Sequence, residues 1–146
     1  MMKKILLAAL VLITVNAQAQ LNNSWIDYSK TYYKFSLAKD TLCRIPQSVL
    51  ASVGLTAVNA DHFQLWRNGQ QVRLYTTVVN APLGISDYLE FFGQKNDGLP
   101  DKQLYRNPDF QLNEEYSLET DTASYFLTVN PTGGNLRYAA ATNTAP

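Results

Sequence analysis

The alternation of apolar and polar residues along this chain predicts a mainly β fold. Residues 31–37, 42–45 and 123–129 alternate with the period of two that is typical of strands with one buried face. Residues 88–92 are apolar on one face and mostly apolar on the other, so we expect this strand to lie inside a sheet. The pattern predicts an antiparallel sandwich or an open, barrel-like sheet.

The clearest local signal is the dipeptide Asn68-Gly69, which fits a type I′ hairpin turn. The predicted pairs across this turn are Arg67–Gln70, Trp66–Gln71, Leu65–Val72, Gln64–Arg73 and Phe63–Leu74. Apolar residues then face apolar ones and polar residues face polar ones, whereas a slip of one residue breaks that match. The register places His62 opposite Tyr75, and the second strand is expected to continue to Val79.

One short helix is predicted near residues 46–53. Pro46 has the fixed φ that favours a first helical position, and Gly54 stands where a C-terminal cap is expected. A helix of about two turns is too short to be stable alone, so we expect it to pack on the sheet.

Residues 102–122 lack a clear period, yet they contain too many apolar and aromatic residues for a free linker. We expect an ordered excursion packed on the sheet, with room for a helical turn. Residues 135–140 are a candidate for one further strand. The length of 146 residues suits about one domain, and we assign residues 20–130 to an N-terminal β domain and residues 131–146 to the start of an incomplete following segment.

The first 19 residues have the features of a secretory signal peptide. An apolar run follows Lys3 and Lys4, and Ala17-Gln18-Ala19 supplies the small residues of a cleavage site. The run is shorter than the roughly 20 residues that span a bilayer as a helix, and a membrane anchor is the less favoured alternative. We therefore expect a mature chain that begins near Gln20 and is exported to the cell surface, the outer membrane or the periplasm.

The charge balance gives no sign of a polyanionic partner. The chain has 12 basic and 12 acidic residues, and loss of Lys3 and Lys4 with the leader leaves 10 basic against 12 acidic, a formal charge of −2. Without a basic field, nucleic acid is not an expected partner.

Cys43 and His62 are the only cysteine and the only histidine of the chain. A single cysteine forms no intrachain disulfide, and the favoured interpretation of Cys43 is a small buried hydrophobic residue. A catalytic thiol needs a nearby base, and two residues isolated in the sequence do not make a dyad. We favour a solvent-side or locally hydrogen-bonded role for His62. No catalytic residue is predicted.

Four oxygen-bearing side chains around the Gly98 turn form a weak calcium candidate: Glu90, Asn96, Asp97 and Asp101. Calcium takes six to eight oxygen ligands, and this loop supplies several of them. The alternating ligands and the terminal bidentate Glu of a helix-loop-helix calcium site are missing. A self-satisfied turn is therefore favoured, and no other cofactor is expected.

The sequence resembles the N-terminal region of gingipain-type sorting peptidases, which belong to the type IX secretion system of Bacteroidetes. The resemblance covers residues 32–130. The segments that carry it are 42–45, 63–69, 87–93, 96–101, 104–105, Pro108, 111–113, 116–118 and 120–128. The section from Tyr116-Ser117-Leu118 to Thr120-Asp121-Thr122-Ala123 is the most specific part.

The resemblance implies a secreted precursor whose full-length relatives are cysteine peptidases at the outer surface that cleave a sorting signal from exported cargo. The nucleophilic Cys and the base His of these relatives lie far downstream of this region, so Cys43 and His62 inherit no catalytic role. Cys43 also replaces the aromatic residue that is usual at its place. The first hypothesis is thus a noncatalytic N-terminal β module, or a fragment, that packs on downstream peptidase domains and helps to place substrate or other outer-membrane secretion components.

A second hypothesis is a free-standing cell-surface binding module that grips polysaccharide or protein with aromatic residues such as Trp25, Trp66 and Tyr75. A third, that this chain is itself a peptidase, is the weakest of the three.

Overall fold

The computed structural model describes residues 23–113, 115–139 and 141 and contains two antiparallel sheets that pack face to face. The strands are β1 (Tyr33–Leu37), β2 (Thr41–Pro46), β3 (Phe63–Arg67), β4 (Gln70–Val72), β5 (Tyr75–Thr76), β6 (Tyr88–Gly93) and β7 (Ala123–Val129). One helix, α1 (Gln47–Ser52), follows β2. Short 3₁₀ turns span Asn23–Trp25, Ala60–His62, Leu99–Leu104 and Pro108–Phe110. The prediction of a mainly β fold with one short helix is confirmed, and in the described residues the sheets form an open sandwich rather than a closed barrel.

The consecutive strands β1 and β2 lie in different sheets. The four-stranded sheet has the order β1-β7-β3-β4, and the three-stranded sheet has the order β2-β6-β5. β6 is the central strand of the smaller sheet, which confirms that residues 88–92 lie inside a sheet. β1 and β2 are each an edge strand, and they lie on the same side of the sandwich.

The core lies between the two sheets and contains the alternating apolar residues of both. Phe63 and Leu65 on β3 and Leu89 and Phe91 on β6 are completely buried. The Phe91 ring lies 5.5 Å from the ring of Tyr125 on β7. Burial of each such side chain contributes about 1.5–3 kcal/mol, so the inward positions of the central strands are the main source of stability.

The hairpin around Asn68-Gly69 has the predicted register over its first three pairs. Leu65 pairs with Val72, and the φ angles of Asn68 and Gly69 are both positive, as a type I′ turn requires.

Beyond Val72 the predicted hairpin is wrong. Leu74 turns into the core and is completely buried, so the chain leaves the four-stranded sheet there. Tyr75 then pairs with Glu90 on β6 rather than with His62, and the strand β5 ends at Thr76 instead of Val79. Burial of Leu74 between the sheets stabilises the fold more than further pairing along the hairpin would.

Helix α1 ends where the sequence indicates, but its first helical residue is Gln47 rather than Pro46. Pro46 is its extended N-cap, and Gly54 follows with a φ of 80°. Leu50 is its buried residue, which anchors the helix at the open side of the sandwich next to β2.

The long excursion between β6 and β7 is held by polar contacts. Gln111 Nε2 donates to the carbonyl of Gly98 at 3.0 Å, Ser117 Oγ donates to Asp101 Oδ2, and the amide of Asn96 donates to Asp121 O at 2.8 Å. Most of its large apolar residues are exposed: Leu99, Leu104, Phe110, Leu112, Tyr116 and Leu118. The excursion is thus ordered, as expected, but through polar contacts rather than through these apolar side chains, and its 3₁₀ turns supply the expected helical character.

Residues 131–139 fold back on the sandwich. The amide of Leu74 donates to Leu136 O at 3.2 Å, and the amide of Tyr138 donates to Leu74 O at 3.1 Å. In place of the strand predicted from residue 135, the described residues form a single parallel bridge between Leu74 and Arg137. The predicted signal peptide and residues 142–146 lie outside the described residues. Within the described part, no helix combines the length and the apolar character needed to cross a membrane.

Candidate functional site

The turn after β6, which the sequence offered as a calcium candidate, is closed by its own side chains. Asn96 Oδ1 accepts from the amide of Gly98 at 3.1 Å, and Asp97 Oδ1 accepts from the amide of Leu99 at 3.1 Å. Gly98 has a φ of 72°, which side-chain-bearing residues seldom adopt. These contacts are those of a self-satisfied turn.

Each of the other carboxylates of the calcium candidate also has a protein donor. Asp97 Oδ2 accepts from Arg67 Nη2 at 3.0 Å, and Asp101 accepts from Ser117. Glu90 lies on β6 opposite Arg44 and forms an ion pair with it. Among the described residues, no three His, Cys, Asp or Glu side chains are grouped so that they could hold a metal ion. The calcium site stays a prediction, and the turn geometry favours the alternative.

Cys43 and His62 lie on different elements, and no contact between their side chains is seen. Cys43 is on β2, where its Sγ donates to Thr41 O at 3.7 Å and burial raises the pKa of the thiol. His62 is half-buried just before β3, with its Nε2 3.9 Å from Asp61 Oδ2. The raised pKa works against thiolate formation, and the environment of Cys43 agrees with its interpretation as a core residue.

The three aromatic residues of the binding hypothesis do not form one platform. Trp25 and Trp66 lie together on the outer side of the four-stranded sheet, with ring centroids 5.4 Å apart. Phe126 on β7 lies 5.4 Å from Trp25 and completes this cluster. Tyr75 belongs to the three-stranded sheet. The tryptophans thus stabilise the N-terminal segment against the sheet, and only Tyr75 stands on a separate surface.

The outer face of the three-stranded sheet carries an unusual set of residues. The outer face of the three-stranded sheet consists of the outward side chains of Leu42, Arg44, Tyr75, Tyr88, Glu90 and Phe92. Leu42 pairs with Phe92, and these side chains are 60% and 50% exposed. Tyr75 is 45% exposed. Most sheet faces that contact water are polar at the outward positions, so this face is more apolar than solvent contact requires.

An ion pair and a ring contact order the middle of that face. Arg44 Nε donates to Glu90 Oε2, and this hydrogen bond raises the pKa of Arg44. The Arg44 guanidinium lies 4.3 Å from the centre of the Tyr88 ring, and the rings of Tyr75 and Tyr88 are 6.5 Å apart. The result is a patch of apolar and aromatic groups around one charge pair.

A second feature opens between the free edges of β1 and β2. It is an apolar groove of about 660 Å³ whose lining includes Phe35, Leu37, Ile45 and Val49. Helix α1 closes one end, where Tyr33 Oη donates to Val53 O at 3.5 Å. The groove continues inward to the core residues at the sheet interface, so the sandwich is incompletely covered at this edge.

Neither surface was identified as a site from the sequence. The apolar character of Tyr88 and Phe92 indicated burial on both faces of β6, whereas the second face is open to solvent. The sequence did contain one sign that this face is exposed, the charged residues Arg44 and Glu90, since a fully buried face seldom includes such residues. Comparison of the chain with protein-family models, with curated proteins and with solved structures finds no match.

Proposed function

We propose that this chain is the noncatalytic N-terminal β module of a secreted sorting peptidase of the type IX secretion system, exported to the cell surface or the outer membrane. The module docks on downstream peptidase domains and thereby places substrate or partner components. The observation that carries the proposal is the exposed apolar outer face of the three-stranded sheet.

The exposures on that face favour a protein partner. Leu42 and Phe92 lie side by side on neighbouring strands, and both leave about half or more of their surface in water. Contiguous apolar surface is characteristic of protein contacts. Covering these two side chains contributes about 25 cal/mol for each Å² of apolar surface removed from water. Because Arg44 and Glu90 already satisfy each other, a partner does not have to desolvate an unpaired charge here.

The resemblance of residues 32–130 to the opening region of sorting peptidases supports the choice of partner. Such a region stands before the catalytic domain in the same polypeptide, which gives the docking face a covalently linked partner at high effective concentration. The exposed apolar residues of the excursion, such as Leu104 and Leu112, add a further surface for the same neighbour or for secretion components of the outer membrane.

The proposal is tested by reading the frame beyond Pro146 and producing the domain that it encodes. We expect that domain to carry the Cys and His of a cysteine peptidase and to bind residues 20–146 in calorimetry. Phe92→Asp should weaken binding, and Tyr28→Asp is the matched control, since Tyr28 is 85% exposed and lies near the N-terminus.

Two results would contradict the proposal. One is a downstream frame without a peptidase domain. The other is peptidase activity of purified residues 20–146 that disappears in Cys43→Ala, because the activity would then belong to this module.

A second candidate function, binding of a surface polysaccharide, is favoured by the ring pair of Tyr75 and Tyr88. Aromatic rings stack on sugar rings, and the neighbouring side chains of Arg44 and Glu90 offer hydrogen-bonding groups. A glycan array with residues 20–146 distinguishes the two functions. Binding of a glycan that Tyr75→Ala abolishes would support the second candidate.

A further inference from the structure

The open side of the sandwich is bordered by two strand edges that have no neighbour among the described residues. β1 pairs only with β7, and β2 pairs only with β6. Each free edge therefore presents backbone N–H and C=O groups to solvent, and such edges accept a further strand by main-chain hydrogen bonding. The larger sheet has four strands and the smaller has three, so one strand added beside β2 would give both sheets the same number.

The groove between these edges is suited to apolar side chains. Phe35 and Leu37 contribute from β1, Ile45 from β2, Val49 from α1 and Val53 from the C-cap position after α1. Val49 and Val53 are 51% and 43% exposed because nothing in the described chain covers this side. Alternate side chains of an added strand would point into the groove, since side chains of a strand alternate between its two faces.

Charge around the groove distinguishes between possible occupants. Its charged lining residues are Lys34 and Arg44, and no carboxylate lines it. Arg44 is paired with Glu90, whereas Lys34 has no ion-pair partner among the described residues. A second copy docked edge to edge would bring another unpaired Lys34 and no lining carboxylate, so it would not compensate this charge. The rim instead complements a segment that carries acidic residues.

We propose that the groove binds an extended segment of a partner protein, with alternating apolar residues and acidic flanks, that adds to the free edge of β2. The segment inserts its apolar side chains between β1 and β2 and places an acidic residue near Lys34. Arg44 borders both surfaces, but the groove shares no other residue with the outer face of the three-stranded sheet, so it extends the proposed function to a second contact.

The probe is a blocked heptapeptide in which three valines alternate with two threonines and an aspartate stands at each end. It is titrated at low salt into isotopically labelled residues 20–146, and backbone amide shifts are followed by NMR. We expect saturable shifts at residues 33–37 and 41–46. The same peptide with lysine ends should bind more weakly, and added salt should weaken the acidic peptide because the rim contacts are exposed.

Substitutions in the groove, each with a control outside it, test where the peptide binds. Val49→Asp should weaken the affinity by about tenfold or more, because it places a charge where an apolar side chain must be buried. Val79→Asp is the matched control, since Val79 is 69% exposed and does not line the groove. Lys34→Glu should reverse the preference between the two peptides, whereas Arg106→Glu should leave it unchanged.

Three outcomes overturn the inference: no shifts with the acidic peptide, equal binding to the wild-type protein and to Val49→Asp, or saturable binding of dodecanoate when neither peptide binds. The last result would assign the groove to a lipid chain. None of these outcomes bears on docking through Phe92, which is measured with a different partner and different variants.

Discussion

The hydroxyl group of Tyr125 forms two hydrogen bonds with the backbone of Gln94. It donates to Gln94 O at 2.8 Å and accepts from Gln94 N at 2.7 Å. Tyr125 is on β7 of the four-stranded sheet and is 1% exposed, whereas Gln94 follows the end of β6 in the other sheet. One buried side chain thus joins the two sheets and fixes the point at which the excursion leaves the sandwich.

Tyr125→Phe should lower the free energy of unfolding by about 1–3 kcal/mol, because it leaves two backbone groups of Gln94 without their partner. Urea unfolding of residues 20–146 measures this change. Tyr28→Phe is the control, since Tyr28 is largely exposed, and it should change stability by less than about 0.5 kcal/mol. Equal stabilities of Tyr125→Phe and the wild type would show that the inter-sheet contact contributes nothing.

Stability should fall at alkaline pH partly through the same residue. Burial raises the pKa of Tyr125, so the folded chain holds the phenolic proton more tightly than the unfolded chain does. Its contribution is fully present below the ordinary tyrosine pKa of about 10 and is lost as the pH rises from there through the folded-state pKa. Because burial also raises the pKa of Cys43, the comparison is made in a Cys43→Ala background. The slope of unfolding free energy against pH above about pH 10 should be smaller after Tyr125→Phe, and an unchanged slope would contradict this assignment.

Gly98→Ala should destabilise the chain more than Gly134→Ala. Both glycines have positive φ angles, 72° and 76°, so each substitution carries a backbone cost of about 1–2 kcal/mol. At Gly98 the new methyl group would also lie 2.9 Å from the backbone of Tyr116, whereas at Gly134 no atom lies within 4 Å. We expect Gly98→Ala to cost about 1–3 kcal/mol more than the control in urea unfolding. Equal costs would show that the excursion does not pack on the turn as described.

Truncation of the adjacent phenylalanines on β6 should destabilise the chain to very different extents. Phe91 is completely buried, and Phe91→Ala should cost about 3–5 kcal/mol. Phe92 is half-exposed on the outer face, and Phe92→Ala should cost less than about 1 kcal/mol. Thermal and urea unfolding measure both changes, and a large loss from Phe92→Ala would mean that this side chain belongs to the core.

The thiol of Cys43 should be slow to react. Its pKa is raised by burial, so little thiolate is present near neutral pH. We expect an aromatic disulfide reagent at pH 8 to react with the folded chain about tenfold or more slowly than with the urea-unfolded chain. A folded-state rate equal to that of the unfolded chain would show that burial does not suppress the reactivity of Cys43, and a faster rate would identify an activated thiol and revive a catalytic role.

The elements that the sequence predicts well are those fixed by local chemistry. Asn68-Gly69 dictates its turn, Pro46 and Gly54 delimit the helix, and the alternation of residues 123–129 specifies β7 from end to end. The fate of Leu74 could not be predicted in this way, because its burial between the sheets depends on residues of the other sheet and on Leu136.

The candidate surfaces were harder to infer than the fold. Whether Phe92 faces a second layer or water depends on how many elements cover β6, and no local pattern encodes that number. The groove likewise arises because β1 and β2 become edges of different sheets, which is a property of strand order. The closed turn at Asn96 and Asp97 could be predicted from the sequence, since their short side chains accept hydrogen bonds from the amides of the same turn.

We propose that the outer face of the three-stranded sheet docks on a peptidase domain encoded downstream. The most direct test of this proposal is the affinity of that domain for residues 20–146 as the wild type, as Phe92→Asp and as Tyr28→Asp, measured by calorimetry. If this face is the docking surface, Phe92→Asp should weaken binding by about tenfold or more, and Tyr28→Asp should leave it unchanged. Binding of equal strength in all three proteins, or no binding to the wild type, would contradict the proposal.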